Sequence, residues 1–503
     1  MAEIRVPRIV FVGAGSLVFA RVLAMDLLAT PSLEGCELVL MSRTARKLEW
    51  VHDYVRRLVT DNGLPATVSA TTDRRRALEG ADYVVAMLQV GGADAFNKDY
   101  EIARRHGVDL CIANDGGPAG VMRSARTIPV MLDIAQDMEE LCPNALLLNY
   151  VNPMATVCMA LDRASSIQTI GLCHGVQVTL DLIARYTEVP KSEINYRAAG
   201  INHMCWFLKL EHRGWNLYPL LRARCEQPEY YLPEKVRCET MRHFGYFMTE
   251  SSGHLSDYLP YFRKTAEARA MYCDQPGFGG ESGAAPKNFV RGTKLFRSRN
   301  YLADEPAVMQ ERSIEHGSYV IEALQTGRPY ALNANVINRG AIANLPADAC
   351  VEIPVVVDGT GVHPQIVGEL PPQLAALCQS NVTAQMLTVE ACLKRDLELL
   401  FQAVALDPLT SAVLTLKEIR ELAIELIEAE RDYLPAFAGQ TLQPEPAIHI
   451  PPGTEAVRTP LDPALAVVQH LKGLADKAGQ MQESEMQDSG TQDSETRSSG
   501  RQD

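Results

Sequence analysis

The sequence predicts an α/β protein whose first part is a doubly wound, parallel sheet and whose second part is an α+β domain. Three observations predict it. Strand-like apolar runs alternate with amphipathic stretches over the first 175 or so residues. The run RIVFV, Arg8 to Val12, passes straight into Gly13-Ala14-Gly15-Ser16 and then into a helical apolar pattern. From about Ser192 the alternation gives way to longer helical segments and aromatic-rich connections. Alternation of this kind is the signature of a parallel sheet covered on both faces.

The expected strands of the first part are Ile9–Val12, Glu37–Met41, Thr67–Thr71, Tyr83–Leu88, Leu110–Ala113, Ala145–Asn149 and Thr169–Cys173. Ligands of doubly wound sheets bind beyond the carboxyl ends of the strands. Those ends carry Gly13-Ala14-Gly15, Ser42-Arg43, Gln89-Val90-Gly91-Gly92, Asn114-Asp115, Asn152-Pro153 and Cys173-His174, which would all face one crevice. The second part is expected to hold a strand-like zone from Tyr330 to Val357 and helices from Pro371 to Tyr433. The resulting organisation is a dinucleotide-binding domain over 1–190, an α+β substrate- and metal-binding domain over 191–475, and a disordered tail over 476–503. The tail is rich in Gln, Glu, Ser and Asp, with QDS recurring at Gln487 and Gln492. It lacks the apolar content that would offset the entropy of ordering it.

With 503 residues, 47% hydrophobic and 22% charged, the chain can bury a sizeable core. Its net charge of −14 disfavours nucleic acid and anionic membrane surfaces as partners and leaves small molecules. The longest apolar runs, such as Ala145 to Leu148, fall far short of the ~20 residues that a membrane helix requires. No signal-type apolar region follows Met1, and the twelve cysteines include no C-x-x-C pair, so a reduced cytoplasm is the expected compartment.

The turn at Gly13, Gly15 and Ser16 suits a dinucleotide, because a glycine turn lets backbone N–H groups at a helix start approach a pyrophosphate. Val18 stands where the third glycine of G-x-G-x-x-G belongs, so a plain tight turn is the alternative. The second strand should end in an acidic residue to grip the adenosine ribose; Ser42 and Arg43 stand there instead, with Arg46 nearby. A hydroxyl and a guanidinium suit a 2′-phosphate. NADP therefore stands beside NAD, and an ordinary solvated helix start stands beside both.

Cys173, at the end of an expected strand, and His203, in GINHMCWF, are candidate metal ligands, although about 30 residues apart they match no standard zinc spacing. Buried structural roles are the alternative. Asp115 lies on a glycine-rich turn, where it either reaches the crevice or makes an Asx turn. The dense polar and aromatic run from Thr249 to Lys264 suits either a sugar-binding wall or an ordinary loop.

Taken together and in order, IVFVGAGSLVFA, NYVNPMA, IGLCHGVQ, AGINHMCWF, ESSGHLSDYLPYFRK, NLPADACVEIPVVVD and ALDPLTSAV resemble the characteristic segments of glycoside hydrolase family 4, from about residue 8 to about residue 435. The resemblance implies a Rossmann-type domain like that of lactate and malate dehydrogenases. It also implies hydrolysis outside the two-carboxylate scheme of other glycosidases. Family enzymes use NAD and a divalent metal, typically Mn2+: hydride leaves sugar C3, a base removes the C2 proton, the aglycone is eliminated, water adds, and the hydride returns. By this resemblance Cys173 and His203 hold the metal, and Asn152 contacts the substrate. His174 protonates the leaving group or binds substrate, and Asp115 lies near the metal. Tyr258 is the base at C2, with Asp257 and His254 behind it.

Cys-His-Gly-Val-Gln, where phospho-sugar members carry Cys-Asp, resembles the branches acting on unphosphorylated α-galactosides, α-glucosides and α-uronides. The expected activity is thus an α-glycosidase on a small glycoside, first an α-galactoside. An α-galacturonidase, α-glucuronidase or α-glucosidase is the rival within the family, and Arg123 and Arg263 are the candidates to read a uronate carboxylate. A malate-type dehydrogenase with net cofactor turnover is the rival class. A homodimer or homotetramer is the assembly that the resemblance implies.

Overall fold

The structure, a computed structural model, describes residues 6–457 and 463–495. Contacts gather the chain into two compact units, Met1–Pro444 and Glu445–Asp503. The second unit, taken by itself, contributes one helix, Pro463–Glu495. That helix occupies much of the stretch expected to be disordered. Ala, Leu, Lys, Gln and Glu favour helix locally, yet its side chains from 463 to 482 are all exposed, in keeping with a sequence that has little to bury. Residues 496–503 of that expectation lie outside the described residues.

In the first unit the strands are β1 (Arg8–Val12), β2 (Glu37–Met41), β3 (Thr67–Thr71), β4 (Tyr83–Ala86), β5 (Leu146–Asn149), β6 (Thr169–Gly171), β7 (Ile194–Ile201), β8 (Met204–His212), β9 (Trp215–Asn216), β10 (Tyr330–Ile337), β11 (Cys350–Asp358) and β12 (Gly361–Pro364). They form one twelve-stranded sheet in the order β3-β2-β1-β4-β5-β6-β10-β11-β7-β8-β9, with β12 against β11. The first six are parallel, and β1 is flanked by β2 and β4, the arrangement expected of a Rossmann-type half. The boundary expected near residue 190 therefore falls inside a single sheet. It is crossed where β10 pairs antiparallel with β6 at Asn335 and Gly171.

The helix Ala45–Asp61 shows how the sequence writes this architecture. Leu48, Val51, Val55 and Leu58 are buried at helical spacing while the intervening charges face water. Each such side chain contributes roughly 1.5–3 kcal/mol of burial, which fixes the helix, and with it the turn after β2, against the sheet.

The expected strand Leu110–Ala113 is not a strand. Its side chains are buried, which produced the apolar signal, but its backbone donors bond to a side chain: the N–H groups of Cys111, Ile112 and Ala113 donate to the Asp257 carboxylate at 2.8, 2.8 and 3.1 Å. A ladder is unnecessary where a carboxylate satisfies three donors. Conversely, the hairpin of β7 and β8 lies in a region expected to be mainly helical.

Candidate active site

At the start of the crevice, Gly13 has φ +100°, and a Cβ there would stand 2.8 Å from the Met87 backbone, so the turn requires glycine. Gly13 and Ala14 both donate their N–H groups to the Met41 carbonyl, at 3.0 and 2.9 Å. The Ser16 hydroxyl accepts from the Phe19 N–H at 3.2 Å and starts the helix Phe19–Leu28. Ser42 and Arg43 follow β2 directly, as expected; Ser42 is buried and Arg43 is exposed.

The second cluster is assembled from three distant segments. Cys173 follows β6, His203 occupies the two-residue turn between β7 and β8, and Glu250 precedes the helix Ser252–Tyr258. One ligand atom from each comes within 4.8 Å of the others. Cys173 Sγ lies 3.4 Å from Glu250 Oε1, and His203 Nε2 lies 4.0 Å from the same oxygen. Both His203 (φ 62°) and Glu250 (φ 65°) have left-handed backbones, a conformation that costs ordinary residues about 1–3 kcal/mol and collects at functional sites. Gly175 makes room for the cluster, since a Cβ there would sit 1.7 Å from Glu250 Oε1.

Asp115 belongs to this cluster through His203: its Oδ2 lies 2.7 Å from Nδ1, which leaves Nε2 facing Glu250 and Cys173. A carboxylate behind a histidine in this way fixes the ring and raises its basicity toward a metal. The loop carrying Asp115 is held on both sides, by Asp257 on the N–H groups of residues 111–113 and by Asp407 on the Gly117 N–H at 3.0 Å. The Tyr258 hydroxyl lies 3.4 Å from His203 Nδ1. His254 bonds through Nδ1 to the Ser251 hydroxyl at 2.8 Å, with Nε2 4.0 Å from Glu250 Oε2.

The charges are strongly coupled. Burial alone would raise the Glu250 pKa, but His203, His254 and His174 more than offset it and hold the carboxylate down at about 2. Burial likewise works against a charged His203, and Asp115 and Glu250 overcome it, raising its pKa well above the usual value. Burial, reinforced by Glu250, pushes the Cys173 thiol up to about 12. Burial, with Asp115 and Glu250 adding to it, also keeps the Tyr258 phenol protonated well past its ordinary range. A thiol, an imidazole and a carboxylate so arranged could hold a divalent ion, which would take the place of protons on Cys173 and His203. The donor set, with its ligand atoms within 4.8 Å of one another, fits such an ion.

His174 begins the helix Gly175–Thr187 and is partly exposed; its Nδ1 bonds to Glu315 Oε1 at 2.9 Å, and that bond raises its pKa. Asn152 lies at a cis peptide with Pro153; its carbonyl accepts from Arg123 Nε at 3.1 Å, and its buried Oδ1 has no hydrogen-bond partner among the described residues.

Two expectations are corrected. Asp257 cannot stand behind Tyr258 as a base, because its carboxylate is committed to three backbone donors. Arg263 cannot read a uronate, because it is fully buried, donating to the Asp109 and Gly280 carbonyls, each at 2.9 Å, and pairing with the Asp109 carboxylate. Arg123, also buried, packs over the Phe96 ring. Glu250 is the site residue that the sequence reading left unassigned within its polar run. A second is Glu352 on β11, whose carboxyl burial, with Glu250 nearby, raises to about 8. It stands in NLPADACVEIPVVVD as the lone acid inside a strand-like apolar run, a signal that could have been followed.

A model of family 4 glycosyl hydrolases matches residues 8–189, and a model of the C-terminal domain of the same family matches residues 198–410. An α-galactosidase of Bacillus subtilis (strain 168) is 39% identical over 432 residues, which cover 86% of this chain and 99% of that protein. An α-galactosidase of Rhizobium meliloti (strain 1021) is 37% identical over 439 residues, 86% of this chain and 90% of that protein. Among solved structures, a 6-phospho-α-glucosidase from gut microorganisms in complex with NAD and Mn2+ superposes with a TM-score of 0.71 at 20% identity, covering 86% of this chain and 99% of that one. That likeness concerns the fold.

Proposed function

The chain belongs to the family 4 glycosyl hydrolases, and from that premise we propose that it hydrolyses α-galactosides with the help of a nicotinamide dinucleotide and a divalent cation such as Mn2+. The observation that carries the proposal is the convergence of Cys173, His203 and Glu250 on one point, with Asp115 behind His203, in a chain 39% identical to an α-galactosidase.

When bound, the dinucleotide accepts and returns hydride, and the cation polarises the sugar oxygens beside the reacting carbons. The chain's own residues do the rest. Gly13, Gly15 and Ser16 would seat the pyrophosphate, and Cys173, His203 and Glu250 would hold the cation. Asn152 turns its unpartnered side-chain oxygen toward a sugar hydroxyl. Tyr258 would remove the proton at C2 as its phenolate; burial, with Asp115 and Glu250 facing it, keeps the phenol protonated, so this role requires the negative charge of those carboxylates to be offset. His174, held at Nδ1 by Glu315, gives a proton from its other ring nitrogen to the departing oxygen.

The partner on this reading is a small glycoside, and the chain works as a cytoplasmic homodimer or homotetramer. Among the described residues no helix is long and apolar enough to cross a membrane. The test is a panel of nitrophenyl α-glycosides and α-glycuronides assayed with NAD⁺ or NADP⁺ and Mn2+. The α-galactoside is expected to be cleaved with no net change in cofactor absorbance and with a kinetic isotope effect from deuterium at C2 or C3. Stoichiometric reduction of the cofactor would indicate a dehydrogenase instead.

A further inference from the structure

We propose that the dinucleotide preferred by this chain is the 2′-phosphorylated form, NADP(H), and that Ser42 and Arg43 select it. The inference rests on residues 13–16 being a dinucleotide cradle, as proposed above.

In a Rossmann-type half the ribose next to adenine lies at the end of the second strand. An acidic side chain there accepts from the 2′- and 3′-hydroxyls and repels a 2′-phosphate, whereas an arginine does the reverse. Here β2 ends at Met41, and no carboxylate occurs between Glu37 and Glu49. The turn that replaces it packs directly on the phosphate-binding turn: a Cβ placed on Gly15 would stand 2.8 Å from the Ser42 hydroxyl and 3.6 Å from Lys47 Cβ. Ser42 and Lys47 therefore border the cradle itself, and Arg43 follows Ser42 directly.

Each of these groups is disposed for an anion. The Ser42 oxygen accepts from the Thr44 N–H at 3.3 Å, which leaves its own O–H to donate. Arg43 is exposed and makes no ion pair among the described residues, so its guanidinium keeps its full complement of donors. Arg46 lies in the first turn of the following helix, Ala45–Asp61, with its guanidinium over the Trp50 ring at 4.8 Å. The neighbouring carboxylates are engaged elsewhere. Glu37, at the opposite end of β2, pairs with Arg8, and Asp73, after β3, caps the next helix by accepting from the Arg76 N–H at 3.2 Å. A bare ribose diol thus finds no carboxylate acceptor from the end of β2 or the turn after it, and a phosphate dianion finds the Ser42 hydroxyl and the exposed Arg43 guanidinium.

The experiment is isothermal titration calorimetry of NADP⁺ and NAD⁺ against the full-length protein without added metal or sugar. NADP⁺ is expected to bind at least tenfold more tightly. Arg43→Ala, at an exposed position, is expected to weaken NADP⁺ about tenfold and to change NAD⁺ less than twofold; Ser42→Asp is expected to reverse the preference. Equal or tighter binding of NAD⁺ by the unaltered protein overturns the inference and leaves the dinucleotide cradle standing. Loss of affinity for both dinucleotides alike in Arg43→Ala overturns the role given to Arg43. Binding of neither by the unaltered protein overturns the inference and the cradle together.

Discussion

At residues 13–16 the chain presents a glycine turn whose shape is fixed from within, the Gly13 and Ala14 N–H groups on the Met41 carbonyl and that of Ser16 on the Gly13 carbonyl, while at Cys173, His203 and Glu250 it presents side chains drawn from three segments. In the first region one glycine conformation shapes the surface, and the nearby Arg43 and Arg46 are exposed. In the second, the side chains are half-buried or buried, their charges hold one another in fixed states, and two of the three residues sit on left-handed backbone. The first region depends on backbone shape, with no room for a Cβ at Gly13 or Gly15, and tolerates changes of side chain only beyond them. A cation needs particular atoms at particular points, so the second tolerates almost none.

The contrast can be broken most severely at Cys173. Cys173→Ser removes the soft ligand and is expected to lower metal content and α-galactoside hydrolysis by about a hundredfold or more, with dinucleotide affinity unchanged; elemental analysis and the nitrophenyl assay measure the two, and full activity with Mn2+ present would remove the cation from that place. Asp115→Asn comes next. It keeps the shape but weakens the hold on His203, and should cost about 10–100-fold in metal affinity, read by titration of the metal-free protein with Mn2+. Gly13→Ala tests the other side: with φ +100° and the Met87 backbone 2.8 Å away, dinucleotide binding should weaken about tenfold while metal content holds. Were Gly13→Ala to lose both, the two regions would not be separable.

The smallest effect belongs to the segment that supports His174. His316, next to Glu315, is buried, with Nδ1 2.9 Å from the Tyr330 hydroxyl, and burial lowers its pKa to about 4. Its unfolded value is near 6.5, so between those values the unfolded chain binds more protons. Its contribution to stability is present above pH 6.5 and lost as the pH falls through about 4. His316→Gln should flatten that acid limb of the melting temperature by a few degrees, measured by circular dichroism.

The same contrast explains what could be read in advance. Six parallel strands and the glycine turn are legible because each is a local pattern: an apolar run, then Gly13-Ala14-Gly15-Ser16. Cys173 and His203 follow strands and could be named, but only the sheet order brings them together with Glu250. The carboxylate of Glu250 has no neighbour in sequence that hints at a thiol 77 residues away. Leu110–Ala113 misled for a related reason, since the partner of its backbone is the side chain of Asp257, far along the chain. Asp257 and Arg263 looked chemically available in sequence because nothing local reveals that their hydrogen-bonding capacity is already used.

The single sheet has a consequence for how this protein can be divided. Its two halves, each matched by its own family model, meet edge to edge through β6 and β10, so neither half owns a finished border. Cutting the chain near residue 190 would expose β6 as a raw edge of parallel strands, the kind of edge that captures foreign strands or stacks with copies of itself. The halves are inseparable as parts, and a chimaera exchanging one sugar-binding half for another has to inherit the edge geometry of Gly171 and Asn335 before it can inherit a specificity.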